Sequence, residues 1–399
     1  MKKKKAEAPS VASFFSGCGG LDLGFEKAGF DVRHAFDVDQ DALSTYNANL
    51  RGVAQHLDLS INTPKVGPVD VLLAGSPCQG FSTAGKRDAN DPRNKLLLRI
   101  PELVQANDPK VVVIENVPGV RSGMMREYWN ALEGRLRELS FNVKTEELSV
   151  NEVGGAQLRK RVFMICWRGK LADPCIPRVA KSKSLSDVLV GIDPDSPNHD
   201  LAEAELDRRT LMIARKIKPG QKLSNVRAGS RSVHTWHIPQ VFGSTSVVEK
   251  QMLHSLIRLR RQIRRRDSGD SDPVSINILE KQFGKAEARA TIQSLLDKNY
   301  LERHEPRYVD LKHTFNGLYR RLAWDAPSYT VDTRFCNPRH FLHPLADRAF
   351  TAREAARIQG FPDTFKFAGA PSSVHRMIGN AVSPVVSRAL ASLVRELLL

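Results

Sequence analysis

The chain has 399 residues, 41% of them hydrophobic and 26% charged, and this length is enough for a sizeable core and two domains. Its formal net charge of +16 predicts a polyanionic partner, nucleic acid before membrane, because no basic amphipathic anchor is evident. No apolar run approaches about 18 residues, which argues against a membrane-spanning helix.

The cysteines and the N-terminus add two exclusions. The five cysteines are scattered, odd in number and without Cys-x-x-Cys spacing. The sequence therefore predicts no disulfide framework, no metal site and a reducing, intracellular setting. Residues 1–9 start with a lysine run, and no apolar segment of signal-peptide length follows it. We expect these residues to form a disordered basic tail.

The N-terminal region begins with a strand, a glycine-rich turn and a helix, predicted at residues 11–15, 16–20 and 21–28. Glycines at this place let a ligand approach the backbone at a helix N-terminus. A turn of purely structural importance has the same composition. The turn alone therefore leaves both interpretations open.

Two acidic residues follow the next strand-like segments. A strand predicted at 31–36 ends at Asp37, which can hold a ribose diol or cap the following helix. Asp39 can take the capping role instead. Asp58 follows another short strand-like piece. The glycine turn, Asp37 and Asp58 together favour an adenosine-bearing ligand.

Two later strand ends carry candidate catalytic side chains. The apolar run at 69–74 leads to Cys78, which is either a nucleophile, if its surroundings favour the thiolate, or a small buried hydrophobe. The β-branched run at 111–114 leads to Glu115, a candidate acid whose pKa would rise on burial. A helix cap or a structural ion pair is the alternative for Glu115.

Basic residues flank these strands. The polar segment at 80–92 contains Lys86 and Arg87 and predicts a mobile loop that closes over a substrate and touches phosphate, or an ordinary surface loop. Period-2 spacing puts Arg159 and Arg161 on one face, where two guanidinium groups suit phosphate or a base carbonyl, or form a solvated edge. Other predicted elements are a helix at 93–106 with a kink or early end at Pro101, a helix at 127–139, and strands at 141–144 and 161–167.

The pattern changes from about Gly169, where prolines interrupt the chain and strong sheet signals fade, and we place a domain boundary there. Predicted elements beyond it are a helix at 247–266 that becomes strongly basic, helices at 276–283 and 285–298 around Gly284, and a hairpin of 300–303 with 307–310. Helices followed by a small hairpin resemble a winged helix-turn-helix, a DNA-binding unit. A helical insertion with a merely solvated basic face is the alternative.

The C-terminal region returns to regular patterns. A strand is predicted at 329–332. A helix is predicted at 351–359, with Thr351 as its N-cap and Glu354 three residues later. An amphipathic helix is predicted through Leu397.

Six short motifs follow one another along the chain: FSGCGG at 15–20, PCQGFS at 77–82, ENV at 115–117, QLRKR at 157–161, REAARIQGFP at 353–362 and GNAV at 379–382. They occur in the order found in DNA cytosine-5 methyltransferases of the bacterial restriction-modification type, and the chain resembles that family. Any one of them is short, whereas six in order are highly specific.

The resemblance implies a fold and a set of partners. It implies an α/β, Rossmann-like S-adenosylmethionine-dependent methyltransferase domain at 10–168 and 318–399. A smaller target-recognition domain would occupy 169–317 and include the winged-helix-like segment 247–310. The methyl donor would be S-adenosyl-L-methionine, the product S-adenosyl-L-homocysteine, and no metal would take part. The partner would be duplex DNA, with a cognate restriction endonuclease acting separately, and the enzyme would be a monomer at the nucleoid in a bacterial cytoplasm.

The resemblance also assigns cofactor contacts by motif position. Phe15 and the turn formed by Ser16, Gly17, Cys18, Gly19 and Gly20 would surround the methionine part. Asp37 would hold the ribose hydroxyls, Val38 would face the adenine, and Asp58, followed by Leu59, would take its amino group. Asn380 and Ala381 belong to the last motif, which completes the pocket.

For catalysis the resemblance implies that Cys78 attacks cytosine C6 and that Pro77 fixes its loop. Glu115 would be held protonated, or would share a proton, against N3 and the 4-amino group, where it stabilises developing charge. Arg159 would contact the base carbonyl, and Arg161 would support it. The cytosine must leave the stacked duplex first, at a cost of a few kcal/mol.

DNA contacts are expected from two groups of residues. Ser82, Lys86 and Arg87 lie in the predicted mobile loop. Arg258, Arg261 and Arg265 lie in the basic helix, and we expect them to act mainly through phosphates.

The chain departs from some relatives at two positions. Val38 stands where some carry a large aromatic residue against adenine, and Ala84 stands where some carry a polar side chain that fills the gap left by the flipped base.

Two other functions are open to such a sequence. A catalytically idle, sequence-specific DNA-binding protein would not need the intact set of Cys78, Glu115 and Arg159. An RNA cytosine-5 methyltransferase is disfavoured because the Cys-Phe-Thr signature of the tRNA-methylating relatives does not occur.

Overall fold

The computed structural model describes residues 7–77, 92–123, 125–169, 174–226, 234, 236, 243–265, 272–312 and 318–399. The chain forms two compact units. The first unit comprises Met1–Glu203, Trp324–Cys336 and Phe350–Leu399, and the second comprises Ala204–Ala323 and Asn337–Ala349.

This division lies further along the chain than the predicted boundaries at 169 and 318. Residues up to Glu203 belong to the first unit, in which Arg357 binds the end of helix α5 (Leu185–Leu189) and the residue that follows it. Its Nη1 atom donates to the carbonyl oxygens of Val188 and Val190 at 3.2 and 3.0 Å.

The first unit is built on a seven-stranded sheet of order β3-β2-β1-β4-β5-β7-β6. The strands are β1 (Ser10–Phe14), β2 (Asp31–Asp37), β3 (Val53–His56), β4 (Val71–Ala74), β5 (Val111–Asn116), β6 (Asn142–Ser149) and β7 (Lys160–Trp167). The first five are parallel, whereas β7 is antiparallel to both β5 and β6. The mixed sheet with flanking helices is the Rossmann-like α/β fold that the sequence predicts.

Helices cover both faces of this sheet. Besides α5, the helices of the first unit are α1 (Gly20–Lys27), α2 (Gln40–Asn49), α3 (Ile100–Asn107), α4 (Met125–Glu138), α10 (Ala352–Gln359), α11 (Pro371–Asn380) and α12 (Pro384–Leu397). Alternate residues of β1, β4, β5 and β7 pack on α3 and α4 in one apolar cluster and on α1 and α12 in another. Because both faces are buried, β4 and β5 are apolar almost throughout, as expected for strands in the middle of such a sheet.

Three local predictions can be compared directly with these elements. Pro101 does not kink a helix: residues Pro92–Arg99 form a 3₁₀ segment, and Pro101 lies in the first turn of α3, where a missing N–H does no harm. Residues 329–332 form no strand; only Ser328 makes an isolated bridge, to Gln157. The capping box of α10 is present, since Thr351 accepts from Glu354 N and Glu354 accepts from Thr351 N.

The segment Pro371–Leu397 has a length and a mean hydropathy, 1.3, that would suit a membrane span, which the sequence analysis did not anticipate. It consists of two helices, α11 and α12, and 67% of its most apolar window is buried inside the protein. Residues of α12 such as Leu390 and Val394 pack on the sheet. Its apolar character is therefore explained by the core.

The second unit contains α6 (Arg208–Ala214), α7 (Val247–Gln262), β8 (Val274–Ser275), α8 (Ile276–Phe283), α9 (Lys285–Asp297), β9 (Leu301–His304), β10 (Tyr308–Leu311), β11 (Arg320–Arg321) and β12 (Phe341–Leu342). Strands β8, β10 and β9 form an antiparallel sheet in that order. The predicted helices and hairpin are present, and the basic helix ends earlier than expected, at Gln262. From α7 to β10 the elements follow one another as a helix, a strand, two helices and a hairpin.

Candidate active site and cofactor cavity

The carboxyl ends of the parallel strands meet at one edge of the sheet, where an open α/β fold binds its ligands. A cavity of about 440 Å³ lies at this edge. Its lining includes these predicted residues: Phe15, Ser16, Gly17, Cys18, Gly20, Asp37, Val38, Asp58, Leu59, Pro77, Glu115, Arg161, Asn380 and Ala381. The structure thus brings most of the predicted cofactor and catalytic positions together.

The glycine turn between β1 and α1 forms one wall of the cavity. Phe15 has a positive φ of 55°, an uncommon conformation for a non-glycine residue, and Gly17 has a φ of 53° with open space around its Cα. Gly20 is required for a different reason. A Cβ there would lie 2.4 Å from the carbonyl oxygen of Val382, so the start of α1 packs directly on the last motif.

The two acids after β2 have separate tasks. Asp39 caps α2, because its side chain accepts from the N–H groups of Asp41 and Ala42. The carboxylate of Asp37 accepts from Gly17 N at 2.8 Å and from Val38 N at 2.8 Å. Asp37 therefore lines the cavity and ties the glycine turn to the end of β2.

The next wall combines an apolar and an acidic group. Val38 is 53% exposed although it is apolar, and it faces the cavity. Asp58 accepts from Ser60 N at 2.8 Å, and hydrogen bonds from Ser60 lower the pKa of its carboxyl group. Leu59 is buried beside it. Such a combination suits a ring with an apolar face and polar edge groups.

Two residues of the glycine turn, Cys18 and Gly19, are buried in the protein. The Cys18 thiol is 3% exposed, and burial raises its pKa to about 12, so it stays neutral. Within the described ranges Gly19 does not line the cavity, and a Cβ there would meet Tyr46 and Leu50 at 2.8 Å. Gly19 is required by packing against α2.

The candidate acid forms a buried ion pair. Glu115 is the last residue but one of β5, and its Oε1 accepts from Arg161 Nε at 2.8 Å. The two side chains are only 10% and 14% exposed. Because β7 is antiparallel to β5, the start of β7 reaches the same edge as the end of β5. Burial raises the pKa of Glu115, whereas the charges of Arg161 and Arg159 oppose that rise. The carboxyl group is therefore poised to hold or release a proton beside a guanidinium.

Arg159 lies elsewhere in the scaffold. It is 1% exposed, and among the described residues lining the cavity it does not appear. Its Nη1 donates to the carbonyl of Val331 at 2.7 Å, and its Nη2 donates to that of Ala381 at 3.0 Å. Arg159 thus fastens distant segments of the chain under the cavity.

Several predicted site residues either lie outside the described residues or belong to the second unit. Cys78, Ser82, Lys86 and Arg87 lie outside the described residues, although Pro77, just before Cys78, lines the cavity. Arg258, Arg261 and Arg265 lie in the second unit, on the exposed side of α7 or just after it.

The sequence analysis missed two charged residues of the cavity, Asp39, which it treated only as a helix cap, and Arg376. Arg376 lines it and contacts Asp39 Oδ2 at 2.9 Å. Arg376 is four residues before Asn380 on α11, so the i, i+4 spacing was the signal that could have found it. Neighbouring Met377 also lines the cavity.

Among the described residues, no three His, Cys, Asp or Glu side chains are grouped as a metal site would require.

Comparison with known proteins shows the family to which this chain belongs. The profile of the family "C-5 cytosine-specific DNA methylase" matches residues 10–396. The chain is 31% identical to Type II methyltransferase M.AgeI of Thalassovita gelatinovora, over 96% of this chain and 98% of that protein. It is 29% identical to Type II methyltransferase M.HgiBI of Herpetosiphon aurantiacus, over 94% of each.

Solved structures show the same fold. The structure of S. pombe Dnmt2 methyltransferase superimposes with a TM-score of 0.51 at 17% identity, covering 97% of this chain and 98% of that one. That of Entamoeba histolytica methyltransferase EhMeth gives 0.55 at 15% identity, covering 98% of each. The profile match spans nearly the whole chain, and the chain therefore belongs to the C-5 cytosine-specific DNA methylase family.

Proposed function

We propose that this DNA cytosine-5 methyltransferase binds S-adenosylmethionine in the cavity of the first unit, flips a cytosine out of duplex DNA and methylates it within one short sequence. The observation that carries the proposal is the buried Glu115–Arg161 pair beside Pro77, in the same cavity as the glycine turn and Asp37.

The cavity fits the cofactor in size and chemistry. Its volume of about 440 Å³ is in the range of small-molecule sites. Asp37 and Asp58 offer carboxylates to hydroxyl and amino groups, and the exposed Val38 offers an apolar surface to adenine. Open space at Gly17 leaves room for the methionine part, with Asn380 and Ala381 closing the pocket. When bound, S-adenosylmethionine supplies the methyl group.

Cys78 acts as the nucleophile. Its thiolate adds to cytosine C6 and makes C5 electron-rich, and its departure together with the C5 proton restores the aromatic ring. Pro77 restricts the backbone immediately before the cysteine. Glu115 donates its proton to N3, for which the raised pKa that burial causes is favourable.

The two arginines exchange the tasks that the sequence analysis gave them. Arg161 lines the cavity and holds Glu115, so it is the arginine that contacts the base carbonyl. Arg159 donates to Val331 and Ala381 and acts as the support. The period-2 spacing could not tell which member of the pair meets the backbone.

Contacts with DNA involve both units. Ser82, Lys86 and Arg87 reach the DNA around the flipped base, and the segment 247–310 contacts the duplex and sets the target. Arg258, Arg261 and Arg265 are exposed and contact phosphates.

The biological setting follows from the relatives. Because M.AgeI and M.HgiBI are named as Type II methyltransferases, we infer that this chain is the modification enzyme of a restriction-modification system. It would act as a monomer on the nucleoid in a bacterial cytoplasm, with a cognate endonuclease working separately.

Bisulfite sequencing tests the reaction and finds the target together. Plasmid DNA from a host that expresses the full chain should contain protected cytosines in one short context, and DNA from a Cys78→Ser host should contain none. The purified Cys78→Ser protein should still bind S-adenosylmethionine, because the cofactor contacts lie on other strand ends.

The alternatives give different results. A fully active Cys78→Ser protein would refute the nucleophile. DNA binding without transfer of tritiated methyl by the wild-type chain would indicate an idle DNA-binding protein. Methyl transfer to tRNA but not to duplex DNA would indicate an RNA methyltransferase.

A further inference from the structure

The second unit contains a small module whose exposed helix carries side chains suited to base recognition. Residues 247–265 and 272–311, here called the winged module, contain α7, β8, α8, α9, β9 and β10. We propose that the exposed side of α9, with Lys285, Arg289 and Gln293, enters the major groove and reads the target sequence. This inference rests on the proposed action on duplex DNA.

The order of elements identifies α9 as the reading helix. Helices α8 and α9 meet at Gly284, which has a φ of 84° and a ψ of 144° and so turns the chain within one residue. In helix-turn-helix modules the second helix of the pair lies in the major groove. The hairpin β9–β10 follows α9 and is joined to β8 by β10.

The burial pattern of α9 leaves one side exposed. Ala288, Thr291, Ile292 and Leu295 are buried. Three of them join the apolar cluster that also contains residues of α7 and α8. The positions on the other side are exposed: Lys285, Ala286, Glu287, Arg289, Ala290, Gln293 and Asp297. The module therefore holds α9 firmly along one side and presents the other.

The exposed residues have the chemistry that base edges require. Lys285, Arg289 and Gln293 are each four residues apart and form one stripe along the helix. Asp297 continues this stripe, and its Oδ1 accepts from Gln293 Nε2 at 2.9 Å. Lys and Arg bind the two acceptors of guanine, and Gln binds the acceptor and donor of adenine. Ala286 and Ala290 lie beside the stripe, and their short side chains allow close approach and contact with a thymine methyl group.

Arg289 is held in place without being buried. Its Nε contacts Glu280 Oε1 at 2.5 Å, and its side chain remains 64% exposed, whereas that of Glu280 is only 14% exposed. An exposed pair of this kind contributes little stability. It does restrict the guanidinium, and because the contact uses Nε, the paired terminal N–H groups suit a guanine.

The arginines of α7 serve a different purpose. Arg258 and Arg261 are exposed, whereas Arg260 is turned inward and paired with Asp310, the two side chains being 20% and 13% exposed. Exposed arginines on a helix that is not the second of the pair supply charge for phosphates, which carries no sequence information. In the winged module, α9 thus reads the bases, whereas the exposed arginines of α7 contact phosphates.

Random-sequence duplex libraries, methylated by the purified full chain and sequenced after bisulfite conversion, test this assignment. The variants are Arg289→Ala, Arg289→Lys and Gln293→Ala, and Arg258→Ala is the matched exposed-arginine control. We expect each α9 variant to lose about ten-fold or more of the preference at one or two positions of the target. Arg289→Lys should lose it as well, because it keeps the charge but not the planar fork.

The control should behave differently. Arg258→Ala should lower methylation of all sequences alike and flatten its salt dependence, with the preferred sequence unchanged. An unchanged preferred sequence in all three α9 variants would overturn the inference while DNA methylation itself continued. If the wild-type chain methylated no cytosine in the library, the proposed function would fail and the inference with it. Melting temperatures of the variants exclude misfolding as the cause of any loss.

Discussion

Replacing Asp22 by Asn tests how a buried carboxyl group makes the stability of the protein depend on pH. Asp22 lies in the first turn of α1, next to the glycine turn. Asp22 is 0% exposed, and burial raises the pKa of its carboxyl group from 3.8 to about 7. The hydroxyls of Ser13 and Tyr46 oppose this rise, and Glu26 adds to it. The substitution keeps the shape of the side chain and removes its titration.

The magnitude follows from the pKa difference between the folded and unfolded chains. Between about pH 4 and pH 7 the folded protein holds a proton that the unfolded chain releases. The wild-type free energy of unfolding should therefore fall by about 1.4 kcal/mol for each pH unit in this window. This contribution is fully present below pH 3.8 and lost as the pH rises through about 7. Between pH 5 and pH 8 the loss is on the order of 3 kcal/mol.

Urea denaturation followed by tryptophan fluorescence at several pH values measures the effect. We expect the Asp22→Asn protein to gain stability relative to wild type as the pH rises from about 5 to 8. Glu127→Gln, which removes an exposed carboxylate from the first turn of α4, is the control for the loss of a favourable interaction with the helix dipole. Parallel stability curves for wild type and Asp22→Asn would contradict the account given for this carboxyl group.

Two further predictions concern the arginines of the cavity. Arg161→Lys should lower kcat by about 100-fold or more, because it removes the planar guanidinium beside Glu115. Arg159→Lys should mainly destabilise the protein, by about 2 kcal/mol, because its contacts with backbone carbonyls are lost. Methylation rates and melting curves separate the two effects, and the reverse pattern would mean that Arg159 contacts the base and Arg161 supports it. Arg376→Gln should weaken S-adenosylmethionine binding by at most about five-fold, because the Arg376 side chain is half exposed in its pair with Asp39. Calorimetric titration measures this change, and a loss of binding by 100-fold would mean that Arg376 itself holds the cofactor.

Much of the site could be predicted because its residues follow strands. A parallel sheet brings the carboxyl ends of successive strands to one edge, so Asp37, Asp58 and Glu115 had to approach each other once their strands were recognised. Periodicity was likewise enough for α8, α9 and the hairpin of the winged module. In these cases the local pattern and the tertiary arrangement agree.

What could not be predicted depends on contacts between distant segments. Spacing placed Arg159 and Arg161 on one face, but the carbonyl oxygens of Val331 and Ala381, which bind Arg159, come from segments more than 170 residues away. Pro101 was equally ambiguous, because a proline suits the first turn of a helix as well as it breaks the middle of one. The extension of the first unit to Glu203 involves contacts between distant segments, such as that of Arg357 with Val190, which no local pattern contains.

The buried polar network explains why both ends of the chain are needed for one cavity. Gln359 donates to the carbonyl of Ala381 at 2.7 Å, and Arg159 donates to the same oxygen at 3.0 Å. The side chain of Gln157 accepts from Val331 N at 3.0 Å and contacts Gln359. These bonds join three of the six motifs below the cavity, and each buried polar group would be costly if its partner were absent. The first unit therefore reaches its binding geometry only when the C-terminal segment has returned to the sheet.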